Sequence, residues 1–281
     1  MTILVTGGLG YIGSHTVVEL LNNNFEVVII DDLSNTEKFI LKNIEEITGK
    51  KPIFYPFDLK RKELLKQVFD AHKIEGCIHF AAYKAVGESQ EKPIDYYENN
   101  LFSLINLLQE MKERNISNFI FSSSCTVYGQ ADTMPIDENT PLKLPESSYG
   151  KTKQMGEEIL KDFATAHQKK VTLLRYFNPI GAHPSAKLGE LPIGIPNNLV
   201  PYVMQTAAGV REKLSVWGND YETEDGTAIR DYIYVVDLAK AHVKALQKLI
   251  SENSETLVDI YNLGTGKGSS VLEVVHAFEK A

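Results

Sequence analysis

The sequence predicts an α/β protein, a doubly wound parallel sheet followed by a smaller carboxyl-terminal lobe. Short apolar runs recur through residues 1–178, and helix-length segments separate them, which is the rhythm of strand-crossover-strand units. The first run opens onto a glycine-rich loop, and the second ends in an acidic residue at the spacing of about twenty residues that a dinucleotide-binding crossover requires. Beyond residue 179 the rhythm breaks, and the Gly-, Pro- and Asn-rich stretch Gly189 to Pro201 belongs to the smaller lobe of residues 179–281. The boundary is not a clean linker, because Val258 to Asn262 reads as a strand that returns to the main sheet.

The 281 residues, 43% apolar and 23% charged, have the balance of a soluble globular enzyme. A formal charge of -8 with no long basic run excludes a nucleic-acid track. Cys77 and Cys125 lie in apolar runs without metal-ligand spacing, so both read as structural thiols and no metal site is expected. The apolar run after Met1 is too short for a signal peptide or a membrane span. The expected setting is therefore cytoplasmic, with no membrane partner.

Taken in order, Ile3-Leu4-Val5-Thr6 is a strand that a glycine cluster stops. In Gly7-Gly8-Leu9-Gly10-Tyr11-Ile12-Gly13, the glycines at 7, 10 and 13 permit a tight turn, close approach of backbone to a pyrophosphate, and close packing of helix on sheet. The helix from Gly10 or Tyr11 to about Asn22 would aim its first N–H groups at the phosphates. With the next strand, Val27-Val28-Ile29-Ile30, this makes a Rossmann-type unit that ends in Asp31. Asp31 is expected to accept hydrogen bonds from the adenosine ribose, and Asp32 beside it adds charge that repels a 2′-phosphate, which favours NAD. Ser34 and Asn35 line the same end of the site or are simply solvated.

Ile53-Phe54-Tyr55-Pro56-Phe57 reads as the third strand, and Asp58-Leu59 at its end meets the adenine edge unless Asp58 caps a helix. The fourth strand, Cys77-Ile78-His79-Phe80, delivers Ala81 to Lys84 at its carboxyl end, where ligands lie in such sheets. Lys84 is a candidate phosphate cation or a solvated lysine. A helix from Pro93 to about Arg114 buries Leu101, Leu104, Ile105 and Leu108 and carries the cofactor-side candidate Asn99. Asn118 to Ser122 is the fifth strand, and the hydroxyl cluster after it makes Ser124 a candidate to hold a substrate hydroxyl. Met134 to Pro145 is a loop, and Leu173 to Phe177 the sixth strand.

Tyr149-Gly150-Lys151-Thr152-Lys153 is where the chemistry is placed. Residues four apart share a helix face, so the Lys153 ammonium is expected beside the Tyr149 phenol and favours its ionised form. A free phenol, with a pKa near 10, is no base at neutral pH. A neighbouring cation together with an oxidised nicotinamide would bring it into range, at about 1.4 kcal/mol per pH unit.

These residues, together with His79-Phe80-Ala81-Ala82, Phe121 to Gly129, Leu174-Arg175-Tyr176-Phe177-Asn178-Pro179, Gly194 to Leu199 and Arg230-Asp231-Tyr232-Ile233, resemble the extended short-chain dehydrogenase/reductase family, and within it the nucleotide-sugar epimerases. The resemblance covers nearly the whole chain. It implies tightly held NAD, UDP-glucose and UDP-galactose as substrates, and a homodimer. Ser124 and Tyr149 would meet the sugar hydroxyl and Lys153 the nicotinamide ribose. Gly7, Gly10, Tyr11, Ile12, Gly13, Asp31, Asn35, Asp58, Leu59, Phe80, Ala81, Lys84, Asn99 and Phe177 would complete the cofactor site. Asn178, Asn197, Asn198, Leu199, Ser215, Val216, Trp217 and Arg230 would hold the UDP end.

The family commonly carries Asn at the Asp32 position and often Ala at Cys125. The chain also closes within an expected helix, Val271 to Ala281, short of the family's usual carboxyl end. It is therefore read as truncated, with a partly open sugar-nucleotide site. A nucleotide-sugar 4,6-dehydratase would need an acid pair where this chain has Thr126-Val127. A binding protein without catalysis would not need the Ser124, Tyr149 and Lys153 set.

Overall fold

Strands that are apolar on both faces need a helical layer on each side, and the chain supplies the two layers in alternation. The computed structural model describes residues 1–251 and 256–281. The first part runs β1 (Thr2–Thr6), α1 (Tyr11–Asn22), β2 (Glu26–Ile30), α2 (Phe39–Thr48), β3 (Ile53–Tyr55), α3 (Lys62–Ala71) and β4 (Ile74–His79). It continues through α4 (Val86–Glu91), α5 (Pro93–Tyr97), α6 (Ser103–Glu113), β5 (Asn118–Ser122), α7 (Ser148–His167) and β6 (Lys170–Tyr176). The remainder comprises β7 (Asn178–Ile180), α8 (Leu199–Ala207), β8 (Ile229–Tyr234), α9 (Val235–Ser251), β9 (Val258–Leu263), β10 (Gly268–Ser270) and α10 (Val271–Lys280).

Among the described residues the main sheet has seven strands in the order β3-β2-β1-β4-β5-β6-β9, with every neighbouring pair parallel. Alternate strand residues face opposite layers. Ile3, Val5, Ile29, Ile78 and Ile120 pack with Val17 and Leu20 of α1 and Leu238 and Leu246 of α9. Leu4, Val28, Cys77, Phe119 and Phe121 pack with Leu65 of α3, Leu104 and Leu108 of α6, and Leu160 and Phe163 of α7. Each fully buried aliphatic or aromatic side chain contributes about 1.5–3 kcal/mol. The order reverses at β1, which opens a crevice at the carboxyl ends of β1 and β4. A small sheet, β10-β8-β7, stands beyond the carboxyl end of β6.

The elements differ from the sequence reading in several places, and the fourth strand runs from Ile74 to His79 rather than from Cys77 to Phe80. The third strand stops at Tyr55 because Pro56 has no N–H to give the ladder. The sixth begins earlier, at Lys170, and ends at Tyr176, paired with β5 as far as Leu174 and with β9 as far as Tyr176. The helix expected from Pro93 to Arg114 is broken by a π-helical turn, Glu98–Phe102, which turns Asn99 and Asn100 into the interior. Asn100 is held there by Tyr83 N (2.8 Å) and by Thr152 Oγ1 (2.9 Å). The long helix α9, with Val235, Leu238, His242, Leu246 and Leu249 on its inner face, was not anticipated.

Candidate active site

The loop after β1 forms a cradle that leaves no room for a side chain at Gly7 or Gly13. Gly7 has a φ of +67°, and a Cβ on it would lie 2.7 Å from Ala81 N. A Cβ on Gly13 would lie 2.1 Å from the Gly7 oxygen. Gly10 is the N-cap of α1 and offers no side chain to its first N–H groups, which leaves the helix end open to an anion. Tyr11 and Ile12 occupy the first turn, and the Tyr11 phenol donates to Gly181 O at 2.7 Å, joining the cradle to the later part of the chain. Asp31 accepts from Leu9 N and Leu33 N, both at 3.0 Å, and burial pushes its carboxyl up. Thr36, which sequence reasoning missed, donates to Leu9 O at 2.7 Å and pins the following loop, on which Asp32 and Asn35 are exposed.

The facing wall comes from β3 and β4. Asp58 accepts from Lys60 N at 2.8 Å and lies 3.4 Å from its ammonium, so it shapes the local turn, while the N-cap of α3 is Arg61. Leu59 is 3% exposed and part of the core, so its side chain packs under the wall. Phe80 lies against His242, with ring centres 4.8 Å apart. Lys84 pairs with Glu190 at 3.5 Å, and Glu190 also accepts from Asn198 at 2.7 Å. Glu190, absent from the sequence reading, thus bridges β4's loop to the start of α8. Asn99 is buried in the π-helical turn.

At the carboxyl end of β5 the hydroxyls converge. Ser124 caps the 3₁₀ turn Cys125–Tyr128, accepting from Thr126 N (3.2 Å) and Thr126 Oγ1 (3.0 Å), so its own proton can be donated elsewhere. Tyr149 stands in the first turn of α7, set by Ser147, whose side chain accepts from Gly150 N at 3.1 Å. Tyr149 is half-buried, and desolvation pushes its phenol up, with Tyr176 adding to the shift and the bond to Ser124 opposing it. The Lys153 ammonium donates to Ser122 O at 2.7 Å and lies 5.9 Å from the Tyr149 ring centre. The ammonium thus lies beside the Tyr149 ring, as the one-turn spacing predicts, while its hydrogen bond goes to a backbone carbonyl. Burial brings Lys153 down to about 7, against the pull of Glu157.

The later segments form the other side. Phe177 N donates to Leu263 O at 3.2 Å, and Asn178 Nδ2 to Asp231 O at 3.2 Å. Asn197 and Asn198 are exposed ahead of Leu199, which begins α8. The Asp231 carboxylate is taken by Thr265 and Gly266, and among the described residues the only side-chain bond from Arg230 is to Ile229 O. The simple ion pair between Arg230 and Asp231 is thus not formed. Burial brings the Cys125 thiol up to about 11, while the Arg230 guanidinium opposes the rise. Ser215, Val216 and Trp217 are not brought in: they sit on an exposed loop, Trp217 being 87% exposed.

A reversing parallel sheet, a glycine cradle at its crevice and a Ser–Tyr hydroxyl pair beside it define a dinucleotide-binding enzyme that acts on an alcohol. The chain belongs to the NAD dependent epimerase/dehydratase family, whose pattern matches residues 3–264. It is 56% identical over 281 residues to the UDP-glucose 4-epimerase of Bacillus subtilis (strain 168), covering 100% of this chain and 82% of the relative. Identity to the Haemophilus influenzae UDP-glucose 4-epimerase is 54%, with the same coverage. The structure superposes with a TM-score of 0.95 on UDP-glucose 4-epimerase from Bifidobacterium longum in complex with NAD+ and UDP, at 49% identity, covering 100% of this chain and 83% of that one.

Proposed function

We propose that the protein interconverts UDP-glucose and UDP-galactose by reversible oxidation at C4 of the hexose, with NAD held in the crevice. The observation that carries this is the Ser124–Tyr149 hydroxyl pair standing beside a cradle in which Gly7 and Gly13 leave no room for a Cβ. The cradle fits a pyrophosphate, with Gly10, Tyr11 and Ile12 presenting the helix end, Asp31 taking the ribose, and Lys84, Asn99, Phe80, Ala81 and Phe177 lining the nicotinamide side. NAD, when bound, supplies the hydride acceptor and donor and, when oxidised, a positive charge beside Tyr149.

Tyr149 takes the C4 hydroxyl proton and returns it in the reverse step. Ser124, whose oxygen already accepts from Thr126, gives its proton to the same sugar oxygen. Lys153, anchored on Ser122 O, reaches the nicotinamide ribose from a fixed post. Inversion requires the 4-keto sugar to present its other face, so the nucleotide must be held firmly and the sugar loosely. Arg230 and Asn178, with the Asn197-Asn198-Leu199 segment, hold the UDP end, since a guanidinium suits a diphosphate.

The protein acts as a homodimer in the cytoplasm. Apolar Ile94 (71% exposed), Phe102 (54%) and Met155 (45%) on α5, the π-helical turn and α7 supply surface for self-association, and Cys77 and Cys125 are free thiols. No helix among the described residues is long and apolar enough to cross a membrane. Incubating the NAD-loaded protein with UDP-galactose and resolving the products by chromatography tests the activity. UDP-glucose should accumulate to equilibrium, and its failure to form would overturn the reading.

A further inference from the structure

The serines that close β5 serve different ends. Ser122 gives its carbonyl to Lys153 and shares its hydroxyl with Tyr176, while Ser124 is left facing Tyr149. Ser123 turns away. It is 0% exposed, and its hydroxyl donates to Glu157 Oε1 at 2.5 Å. Glu157 lies one turn beyond Lys153 on α7, also 0% exposed, and accepts from Arg175 of β6 through Nε at 2.9 Å and Nη2 at 2.6 Å. Arg175 donates through Nη1 to the Tyr128 phenol at 2.9 Å and lies 4.9 Å from that ring's centre. Tyr128 in turn donates to Asn262 Oδ1 of β9 at 2.7 Å. Ser123 and Tyr128, on either side of Ser124, therefore hang from one ion pair.

A buried ion pair is a poor way to stabilise a fold, because desolvating two charges offsets most of their attraction and apolar residues of equal volume would do as well. What it supplies is direction: a guanidinium fork fixes its partners in one geometry. Glu157 also rides on the helix that carries Tyr149, so bonding the Ser123 side of the turn to it ties the Ser124 turn to the Tyr149 helix. We propose that the Glu157–Arg175 pair is a positioning device for catalysis, setting the Ser123-to-Tyr128 turn so that the Ser124 hydroxyl keeps its distance from Tyr149. The inference rests on the epimerase reading for the reaction that tests it.

Tyr128→Phe keeps the ring over Arg175 and removes only the phenol oxygen, and Glu157→Gln keeps the shape and removes the charge. For each, the melting temperature is measured, and kcat and KM with UDP-galactose and UDP affinity by calorimetry are measured below it. The expected result is a kcat lowered about fivefold in Tyr128→Phe, the worth of one mis-set hydrogen bond, and about a hundredfold in Glu157→Gln, the scale of a misplaced reacting group. UDP affinity and KM should stay within about twofold, because ground-state binding is untouched. A lowered melting temperature with kcat unchanged would show a purely structural pair and overturn the inference. If Glu157→Gln does not fold, Tyr128→Phe decides alone. Wild-type protein without turnover overturns the functional reading and this inference with it, whereas active wild type with an equally active Tyr128→Phe overturns only the inference.

Discussion

The Lys153 ammonium is bonded to the carbonyl of Ser122 at 2.7 Å, and its place over the Phe121 ring, 5.0 Å from the centre, leaves it to one side of the Tyr149 phenol. The ammonium is tied to the end of β5 and still lies 5.9 Å from the Tyr149 ring centre. The strand end thereby fixes the cation, and the phenol stays protonated through burial until a second positive charge arrives. This arrangement suits a group that must give a proton back as readily as it takes one.

Tyr149→Phe removes the proton acceptor and leaves the ring in place. Turnover of UDP-galactose should fall at least about a hundredfold, the scale of a lost general base. NAD should stay bound, as read by the absorbance and fluorescence of the purified protein. Near-normal turnover would take Tyr149 out of its role.

Acid should destabilise the fold through buried histidines. His242 is fully buried between Phe80 and Tyr176, its Nε2 lacks a partner, and burial lowers it from 6.5 to about 4. The folded state therefore binds fewer protons than the unfolded one between those values. Stability present above pH 6.5 is lost as pH falls toward 4, at about 1.4 kcal/mol per pH unit for this group. His79, lowered to about 3 by burial and by Lys153, acts in the same direction. In denaturant titrations between pH 7 and 4, His242→Phe should flatten the acid limb by about one proton's worth. An unchanged slope would mean that His242 does not titrate on unfolding.

The sheet is legible in the sequence because its central strands are buried on both faces and so read as apolar runs, with Gly7 stopping the first and Ser122 closing the fifth. The glycine loop and Asp31 are legible for a related reason: their spacing is set by backbone geometry, which one chain segment determines. Glu157, Arg175 and Asn100 are not legible, because each acts on a residue distant in sequence, and a lone Glu or Arg in a helix or strand pattern reads as a solvated charge. A hint lay in Glu157, four residues beyond Lys153 on a face already marked as inward. The π-helical turn at Glu98–Phe102 leaves the apolar period of that region nearly intact, which is why one continuous helix is expected there.

Cofactor choice follows from Asp31 and Asp32 at the end of β2. The Asp31 carboxylate is held by the N–H groups of Leu9 and Leu33 and cannot swing away from a 2′-phosphate, while the exposed Asp32 accepts from Ser34 N at 2.9 Å. Calorimetry with apo-protein should show NAD binding well and NADP poorly. Comparable affinities would mean that the carboxylates do not face the ribose.

Arg230 offers the sharpest test of the nucleotide end. It is exposed on β8, and its neighbour Asp231 is occupied by Thr265 and Gly266. A guanidinium that forms no ion pair with the nearest acid, in a cleft with a net-negative protein around it, is suited to an anion such as a diphosphate. Arg230→Met keeps much of the stem and removes the charge, so it should weaken UDP by about 1.5–3 kcal/mol, the worth of a charge-assisted bond. The NAD contacts proposed above lie at the glycine cradle and Asp31, so NAD affinity should be unchanged. Paired titrations with UDP and NAD read both. Equal loss of the two ligands would point to general damage, and no loss of UDP would leave Arg230 an ordinary surface cation, with the Asn197-Asn198-Leu199 segment holding the nucleotide without it.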